Sequence, residues 1–598
     1  MNEDRRSTLA SRPWKESRFY RFGRDSHGRY RFDSGSQPSN FKFLGEGGIG
    51  GKARGLLFVV DQLTSGQKLT GYDKLLRFPD SLVIRTDVFD EFITANGLSQ
   101  AVLARCSERL DPRELNKKIV NSSFPASISR ELEQFLSSEH RPLVVRSSSI
   151  MEDNAEHSFA GIYLSEFLAN TGSIQQRLKE LVSSIKRVYA STFGENARAY
   201  RKRHNLSWRD EKMAILIQNM IGQHYPGDLF YPLVGGVGFS LNFYPWSDRL
   251  RSEDGVVRLV VGVGTRAVGR EYARVFSPSI PGLRPEGSGE RAVIKYSQEM
   301  VDVLDMKERR LSQLRLHLLN NAALQHVCST VGADGSLSEP VSALSFKGRY
   351  VASFERFIGT SNIMKFTPMI RELLSALWRL FERPVDIEFA VNFPKPGSDT
   401  VPLLYLLQAR PLGGRSQHRV IRIPGVSRED TLLASQRVLG NGVRKRIHDL
   451  IFVDPSAYRW EEGHAIARRV GKVNNSLNGR GYILIGPGRW GTSNPELGVP
   501  VRYGEIAGAE VIVEMATEAF SPELSYGTHF YADMVASDVL YLSFDESQGD
   551  YLNRQLLDLQ GVLSADPFVK HVHFKNGLDV FVDGENKRSL ICVSNGNG

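Results

Sequence analysis

Two segments in the second half of the chain carry acidic, amide and basic side chains in an alternating pattern. In VDIEFAVNF, Asp386 and Glu388 lie two residues apart, and in LLYLLQARPL the same spacing separates Gln408 and Arg410. Side chains alternate along a β-strand, so each pair shares one strand face. A hairpin centred on Ser398 would place Glu388 opposite Gln408. The same register would place Asp386 opposite Arg410, with directly opposed Cβ atoms about 5 Å apart.

This combination of side chains predicts a site for Mg²⁺ and phosphate. Carboxylate and amide oxygens are hard ligands that suit Mg²⁺. The planar guanidinium of Arg410 matches phosphate oxygens. A structural ion pair between Asp386 and Arg410 explains the same pattern, and the strands alone leave both interpretations open.

A lysine follows a glycine-rich turn near the start of the chain, in GEGGIGGKARGLL. Glycines that let the backbone approach a ligand, followed by a helix start and Lys52, form a common anion-binding arrangement. The segment is not a Walker A loop, because Glu46 occupies its first glycine position and Ala53 replaces the Ser/Thr after the lysine. A structural glycine turn with a surface lysine is an equally good interpretation.

An arginine opens the polar stretch RSSSIMEDNAEHSFAG, directly after the apolar residues 143–145. The stretch orders hydroxyls, acids and a histidine behind Arg146 before it reaches small residues. A surface loop needs no such order, and we ask what this arginine is placed to hold.

The C-terminal third offers further candidates. In SYGTHFYADMV, His529 lies at a predicted loop-to-helix junction and is a candidate phosphoacceptor or general base, although a structural histidine is the commoner case. His571 and His573 share a strand face, as a metal pair does, but the sequence shows no acidic or cysteine partner nearby, and we predict surface residues. The glycine-rich loop with Arg489 and Trp490 fits an anion site or a structural turn.

The elements that must position these side chains follow from hydrophobic periodicity. We predict strands and helices as follows: strands at 41–44, 213–221, 235–243 and 385–393, a helix from residue 52, a strand running into a helix at 82–93, and helices at 182–203, 297–321 and 367–382.

Composition and charge limit the class of protein. The chain has 598 residues, 41% of them hydrophobic, which is enough for about three or four structural units. Three distant cysteines argue against a disulfide framework and suit a reducing cytoplasm, and no apolar run predicts a membrane span. Residues 1–42 hold ten Arg/Lys against five Asp/Glu, so they supply five of the nine net positive charges. A solvated arm explains this better than a nucleic-acid-binding tail does.

Taken in order, these motifs resemble one family. GGIGGKARGL, FPDSLVIRTDVFDEFI, VVRSSSIMEDNAEHSFAGIYLSEFL, ILIQNMI, GVGFS, VDIEFA and LLQARPL follow the pattern of the nucleotide-binding domain of phosphoenolpyruvate synthase and pyruvate phosphate dikinase, which also occurs in rifampicin phosphotransferase. The resemblance covers about residues 41–415. It implies an ATP-grasp-like fold, with two α+β lobes that hold ATP and Mg²⁺ between them.

The resemblance also implies roles for individual residues. Arg146 would meet phosphate across the cleft from the strand that carries Asp386 and Glu388. The serines after Arg146 and the SFAG segment would form a flexible lid around it. The expected set is Lys52, Arg146 and Arg410 at the ATP phosphates, Gly161 and Ser165 lining the cleft, Gln218 and Met220 on the adenine side, and Glu388 and Gln408 on Mg²⁺ with Asp386 beside them.

The sequence departs from the family pattern in four ways. We find no Thr-Ser-His-Ala-like phosphohistidine segment, and the 183 residues after 415 are too few for a phosphoenolpyruvate-binding barrel. Glu156 and His157 stand where the family has Asp-Ala. Thr265 stands where an acid is usual.

We therefore expect an α+β and α/β multidomain protein with a basic arm (1–40), an ATP-binding domain of two lobes (41–415) and a C-terminal α/β domain (416–598). The leading hypothesis is an ATP- and Mg²⁺-dependent phosphotransferase of the kinase or dikinase type, with a small-molecule or protein phosphoacceptor. We expect it to be cytoplasmic and to have no membrane partner. Its catalytic residues would be Arg146, Arg410 and His529. The alternatives are a non-catalytic ATP sensor and a nucleic-acid-associated protein acting through the arm.

Overall fold

The structure is a computed structural model of the chain. It describes residues 23–24, 30–31, 38–65, 69, 71–99, 101–102, 112–152, 162–203, 206, 211–242, 245–267, 273–319, 321–340, 348–359, 365–393, 401–412, 421–439, 441–492, 494–517, 520, 530, 534, 538–559, 561–584 and 586–594.

The chain is a mixed α/β multidomain protein, as predicted, and it divides into two compact units. The first unit holds the chain up to Leu412 apart from two short segments, Glu156–Ile162 and Gly194–Trp208. The second unit holds those two segments together with Gly413–Gly598. The predicted basic arm lies almost entirely outside the described residues.

Two sheets of the first unit carry the predicted site residues. The five-stranded sheet has the strand order Phe41–Leu44, Ser81–Ile84, Met213–Asn219, Leu143–Ser149 and Ser165–Leu168. The six-stranded sheet has the order Arg274–Phe276, Val256–Val261, Val234–Phe239, Val385–Asn392, Leu403–Pro411 and Leu76–Arg77. Most neighbours are antiparallel; the first pair of the five-stranded sheet and the last pair of the six-stranded sheet are parallel.

Smaller sheets and helices complete the first unit. The further strands are Gly23–Arg24 with Tyr30–Arg31; Arg310–Arg315, Met300–Asp305, Leu229–Tyr231 and Gln223–Tyr225; and Leu337–Ser338, Ser329–Val331 and Tyr350–Val351. The α-helices are Gly50–Ser65, Thr86–Ala95, Pro112–Asn121, Ala126–Ser138, Ile174–Ser191, Glu290–Lys295, Glu355–Ile358 and Phe366–Phe381.

The helix Gly50–Ser65 is wedged between the two site-bearing sheets. Gly50 has φ +73°, and a Cβ there would lie 1.6 Å from the carbonyl oxygen of Ser148, on the five-stranded sheet. A Cβ on Gly55 would lie 2.4 Å from the carbonyl oxygen of Ala409, on the six-stranded sheet. Only glycine allows both close approaches. Together they fix the position of the Lys52 backbone relative to the strands of the two sheets.

The predicted helix at 297–321 is wrong. Residues 300–315 form a hairpin of Met300–Asp305 and Arg310–Arg315, joined by a turn in which Arg309 has φ +57°. The Asp305 carboxylate accepts the backbone N–H groups of Lys307 (3.0 Å) and Glu308 (2.8 Å), which stabilises the turn. The apolar residues of this segment match both helical and strand spacing, and pairing with Leu229–Tyr231 selects the strand.

The predicted long helix at 182–203 is two helices. The first helix, Ile174–Ser191, has Thr192 as its C-cap residue, and the second helix, Glu195–Arg203, belongs to the second unit. The other predicted strands and helices listed above are present, with ends that differ by a few residues.

The second unit is built on one mixed ten-stranded sheet. Its strand order is Arg437–Leu439, Leu540–Asp545, Ala509–Ala516, Tyr482–Pro487, Asn441–Val453, Val569–Asp583, Arg588–Val593, Thr431–Ser435 and Tyr551–Leu552, with Gly561–Ala565 also paired to Val569–Asp583. The short strands Arg489–Trp490 and Gly498–Val499 form a separate pair, and the helices are Glu195–Arg203, Gly463–Ser476 and Arg554–Leu559.

No helix among the described residues combines the length and the apolar character that crossing a membrane requires.

Candidate nucleotide and metal site

The two polar strands pair in the predicted register. Glu388 lies opposite Gln408, and Asp386 lies opposite Arg410. A β-bulge follows directly after Glu388, because Phe389 pairs with Leu406 and not with Leu407. The expected register is therefore confirmed over the segment that carries the four polar side chains. The opposite strand face buries Ile387, which is fully inaccessible to solvent.

Arg146 joins these strands from the five-stranded sheet. Its Nη2 donates to Glu388 Oε2 (2.5 Å) and to Gln408 Oε1 (2.7 Å). Its Nη1 donates to Gln218 Oε1 at 3.4 Å. The Arg146 side chain is 10% exposed and that of Glu388 23% exposed, so the charge pair is shielded but reachable from solvent. One guanidinium thus brings together residues 242 positions apart in the chain.

A second, more deeply buried ion pair lies beside it. Arg410 Nε and Nη2 donate to Asp386 Oδ2 at 2.9 and 2.7 Å. Their side chains are only 4% and 2% exposed. The cross-strand ion pair that the sequence left open is therefore present, in the immediate neighbourhood of Glu388 and Gln408.

Lys52 is buried, and the structural alternative of a surface lysine is excluded. Its ammonium forms an ion pair with Glu152 and donates to Ser147 Oγ at 3.1 Å. Ser147 is adjacent to Arg146 on the strand Leu143–Ser149. Lys52 therefore reaches the same strand as Arg146 but has a carboxylate of its own.

The glycine turn before Lys52 is held by the protein itself. The backbone N–H groups of Glu46 and Gly47 donate to the Asp87 carboxylate at 2.8 and 2.9 Å. The N–H of Gly48 donates to Thr86 Oγ1 at 2.9 Å. These three amides already have acceptors within the protein, so in this arrangement they are not open to a ligand.

The hydroxyl segment expected in a flexible lid is part of a buried strand. The strand of Arg146 continues to Ser149, and residues 147–149 are all fully buried. The lid assignment is therefore wrong for these serines, because their hydroxyls find partners inside the fold: Ser148 Oγ, for example, donates to Ile49 O at 2.8 Å. The SFAG part of the stretch, with Gly161, lies outside the described residues.

Sequence reasoning missed two buried acids near Lys52. Glu152 is 1% exposed and Glu211 is 4% exposed. Glu211 accepts hydrogen bonds from the hydroxyls of Ser149 and Tyr163, the latter at 2.7 Å. Glu152 is part of the quoted stretch, but no spacing marks it as a lysine partner. Glu211 lies 62 residues from Ser149, beyond the reach of any local pattern.

The remaining predicted residues occupy different surroundings. Gln218 contacts Arg146 and also donates to Leu407 O at 3.5 Å, which links the two sheets. Met220 lies in an apolar cluster with Phe230 and neighbouring side chains. Ser165 is exposed and lies directly opposite Arg146 on the edge strand of the five-stranded sheet.

The donor set fits Mg²⁺. Within the described ranges, no group of three or more His, Cys, Asp or Glu side chains is arranged to hold a metal ion. Mg²⁺ does not require such a group, since it commonly takes one or two protein carboxylates together with water and substrate phosphate. Glu388 and Gln408 offer a carboxylate and an amide oxygen side by side, and Asp386 is two residues along the same strand face.

An acid lies beside Thr265, although the sequence has none at that position. The Thr265 hydroxyl donates to Asp302 Oδ2 at 2.6 Å, and Arg266 Nε donates to Asp302 Oδ1 at 2.7 Å. The hairpin strand Met300–Asp305 supplies this carboxylate. It was missed from the sequence, because a helix is predicted there for this segment.

The C-terminal candidates have three different outcomes. His529 lies outside the described residues. His571 and His573 are not a partnerless surface pair: both contact Asp449 Oδ1, at 2.9 and 3.2 Å, and His571 is buried. The acidic partner was missed because it lies 122 residues away on the adjacent strand. Arg489 and Trp490 are each 1% exposed, which favours the structural turn.

A protein-family model matches about two thirds of the chain. The model described as "Pyruvate phosphate dikinase, AMP/ATP-binding domain" matches residues 46–430. This range contains all the residues that the resemblance assigned to ATP and Mg²⁺, and it excludes His529.

Three relatives illustrate the range of similar proteins. A phosphoenolpyruvate synthase of Aeropyrum pernix is 24% identical over 396 residues, covering 60% of this chain and 42% of the relative. An uncharacterized phosphotransferase of Bacillus subtilis is 27% identical over 158 residues, or 26% of this chain and 17% of the relative. A rifampicin phosphotransferase of Streptomyces sviceus is 27% identical over 167 residues, or 26% and 18%. The chain spans less than half the length of each of these relatives.

Proposed function

Because the chain belongs to the pyruvate phosphate dikinase AMP/ATP-binding domain family, we propose that it is an ATP- and Mg²⁺-dependent phosphotransferase. ATP binds in the first compact unit, and its terminal phosphates face Lys52, Arg146 and Arg410. The phosphoryl group passes to a small-molecule or protein acceptor. Relatives named as phosphotransferases and phosphoenolpyruvate synthases support this reaction class.

One observation carries the proposal: Arg146 donates to both Glu388 and Gln408 across two sheets. These three residues lie on three different strands, and their side chains come into contact here. Their contact supports an ATP-grasp-like site, with one lobe containing the five-stranded sheet and the other the six-stranded sheet.

The chemistry follows from the charges at this site. Phosphoryl transfer develops little covalent character with the protein, so positioning and charge neutralisation supply most of the catalysis. Arg146 and Arg410 present planar donors that match phosphate oxygens, and Lys52 adds a compact point charge. Glu388 and Gln408, with Asp386, would hold Mg²⁺. When bound, the ion would supply positive charge that offsets the charge of the phosphate oxygens.

The ion pairs at the site bring together the charges that MgATP would require. Each of the three cations is paired with a carboxylate: Lys52 with Glu152, Arg146 with Glu388, and Arg410 with Asp386. Each pairing compensates a charge that is largely shielded from water. Arg146 and Arg410 would bind phosphate oxygens of MgATP, and their carboxylate partners Glu388 and Asp386 would be available to hold Mg²⁺.

A reducing cytoplasm is the location we propose. Cys328 and Cys592 are buried free thiols, which supports a compartment without disulfide formation.

Isothermal titration with ATP and Mg²⁺ tests the proposal. Wild type should bind, and Glu388→Ala should bind at least about 100-fold more weakly, because it removes an ionised ligand group. Glu131→Ala is the matched control, since Glu131 is exposed on the helix Ala126–Ser138 and should leave binding unchanged. The proposal fails if wild type releases no binding heat or if Glu388→Ala binds as well as wild type.

Incubation with γ-labelled ATP then tests transfer. Label that appears on the chain or on an added acceptor supports a phosphotransferase. Binding without any transfer would leave the ATP sensor as the better description.

A further inference from the structure

Two buried carboxylates lie behind Lys52, and the metal and phosphate assignments above do not use them. Glu152 and Glu211 are both more than nine-tenths buried. Burying a carboxylate is costly unless hydrogen bonds or a cation compensate it. Both acids have such partners, and those partners form one connected chain that ends at the Lys52 ammonium.

Glu152 and Ser147 fix two of the three Lys52 donors. The ammonium pairs with Glu152 Oε1 and donates to Ser147 Oγ at 3.1 Å. Ser147 Oγ also donates to the same Glu152 Oε1, at 3.3 Å, so the three groups form a closed triangle. A lysine ammonium has three N–H groups. Once two are held by fixed acceptors, the direction of the third is set.

Glu152 is itself held from the opposite side. Its Oε2 accepts the Ser149 N–H at 3.3 Å, and its own N–H donates to Ser149 Oγ at 3.2 Å. Ser149 Oγ in turn donates to Glu211 Oε1, and Tyr163 Oη donates to Glu211 Oε2 at 2.7 Å. Glu211 therefore orients Ser149, and Ser149 orients Glu152.

We propose that Glu152 is a positioning residue for the ATP phosphates. It holds Lys52 so that the third N–H is directed at a phosphate oxygen, and Glu211 fixes Glu152 through Ser149. Lysine is a flexible side chain, and holding it before the ligand arrives removes an ordering cost from phosphate binding. The inference rests on the proposed function, because it assigns Lys52 to the ATP phosphates.

The test compares a ligand that has phosphates with one that lacks them. Glu152→Gln keeps the size of the side chain and removes its charge. We expect the dissociation constant for MgATP to rise by about tenfold, whereas that for adenosine changes by less than about twofold. Lys52→Ala should show the same selectivity. Adding Glu152→Gln to Lys52→Ala should cause no further loss, because the two residues act as one unit.

Two further variants complete the design. Ser147→Ala removes the second acceptor of Lys52 and should weaken MgATP binding by about threefold without affecting adenosine. It tests the same triangle if Glu152→Gln fails to fold. Ser137→Ala is the control, since Ser137 is exposed on the helix Ala126–Ser138.

The outcomes separate this inference from the function on which it rests. Wild type that does not bind MgATP overturns both. If Lys52→Ala weakens MgATP binding while Glu152→Gln and Ser147→Ala bind like wild type, only the positioning role is overturned. If Glu152→Gln weakens MgATP and adenosine binding equally, Glu152 is a structural residue, and the positioning role is overturned as well.

Discussion

Replacing Asp386 should destabilise the nucleotide-free protein strongly, because its partner would be left buried without a counter-charge. Arg410 donates twice to Asp386 Oδ2, at 2.9 and 2.7 Å, and the two side chains are 4% and 2% exposed. Removing one member of a buried pair costs about 3–5 kcal/mol. We therefore expect Asp386→Ala to lower the free energy of unfolding of the first unit by about that amount.

The size of the effect follows from burial, and a second pair in the same site gives the comparison. Glu388 is 23% exposed, and Gln408 and Gln218 also accept hydrogen bonds from its partner Arg146. Water and these amides compensate the arginine when the carboxylate is lost, so Glu388→Ala should cost only about 1–2 kcal/mol.

Urea denaturation without nucleotide measures both effects, with Glu131→Ala as an exposed control expected within about 0.5 kcal/mol of wild type. The double variant Asp386→Leu/Arg410→Met should recover most of the loss, because an apolar pair removes the uncompensated charge. An Asp386→Ala variant as stable as the control would refute the reasoning. So would a double variant that is less stable than Asp386→Ala.

Four further outcomes follow from the structure. Removing Mg²⁺ with EDTA should weaken ATP binding at least about tenfold in calorimetry. The reason is that Glu388 and Asp386 would have no cation once their arginine partners bind phosphate. Unchanged affinity would contradict this. Gly50→Ala should cost about 2–5 kcal/mol by urea denaturation, against about 1 kcal/mol for Gly71→Ala, which has positive φ but open space; equal losses would contradict the clash. Burial raises the pKa of the Cys328 and Cys592 thiols, that of Cys592 to about 11. At pH 8 both thiols should therefore react with a thiol reagent far more slowly in the folded protein than in the urea-unfolded chain. The assay uses a variant whose third cysteine is serine, and fast labelling of the folded protein would refute the prediction. Asp449→Ala should destabilise the second unit by about 1–3 kcal/mol, since two imidazoles lose their shared acceptor; an unchanged unfolding midpoint would show that the contact is not stabilising.

Local periodicity was sufficient to predict the strand pair. Alternation places Asp386 and Glu388 on one face, and a short connection sets the register against Gln408 and Arg410. The same reasoning failed at 297–321, where apolar residues fit two periodicities and pairing with a distant strand decides between them.

Contacts between distant segments account for the rest of what was missed. Glu152 reaches Lys52 across 100 residues of chain, and Asp449 reaches His571 across 122. Neither pair produces a repeating pattern in the sequence, so neither acid could be assigned before the fold placed it. The resemblance to a family implied phosphate-binding roles for Lys52 and Arg146 and also named Glu388, but it did not identify Glu152, the carboxylate that pairs with Lys52.

The most direct measurement of the central claim is a crystal structure of the protein with Mg²⁺ and a non-hydrolysable ATP analogue. We expect the triphosphate within hydrogen-bonding distance of Lys52, Arg146 and Arg410, and Mg²⁺ bound to Glu388 and Gln408. A nucleotide bound elsewhere, with the Arg146–Glu388 pair unchanged, would contradict it.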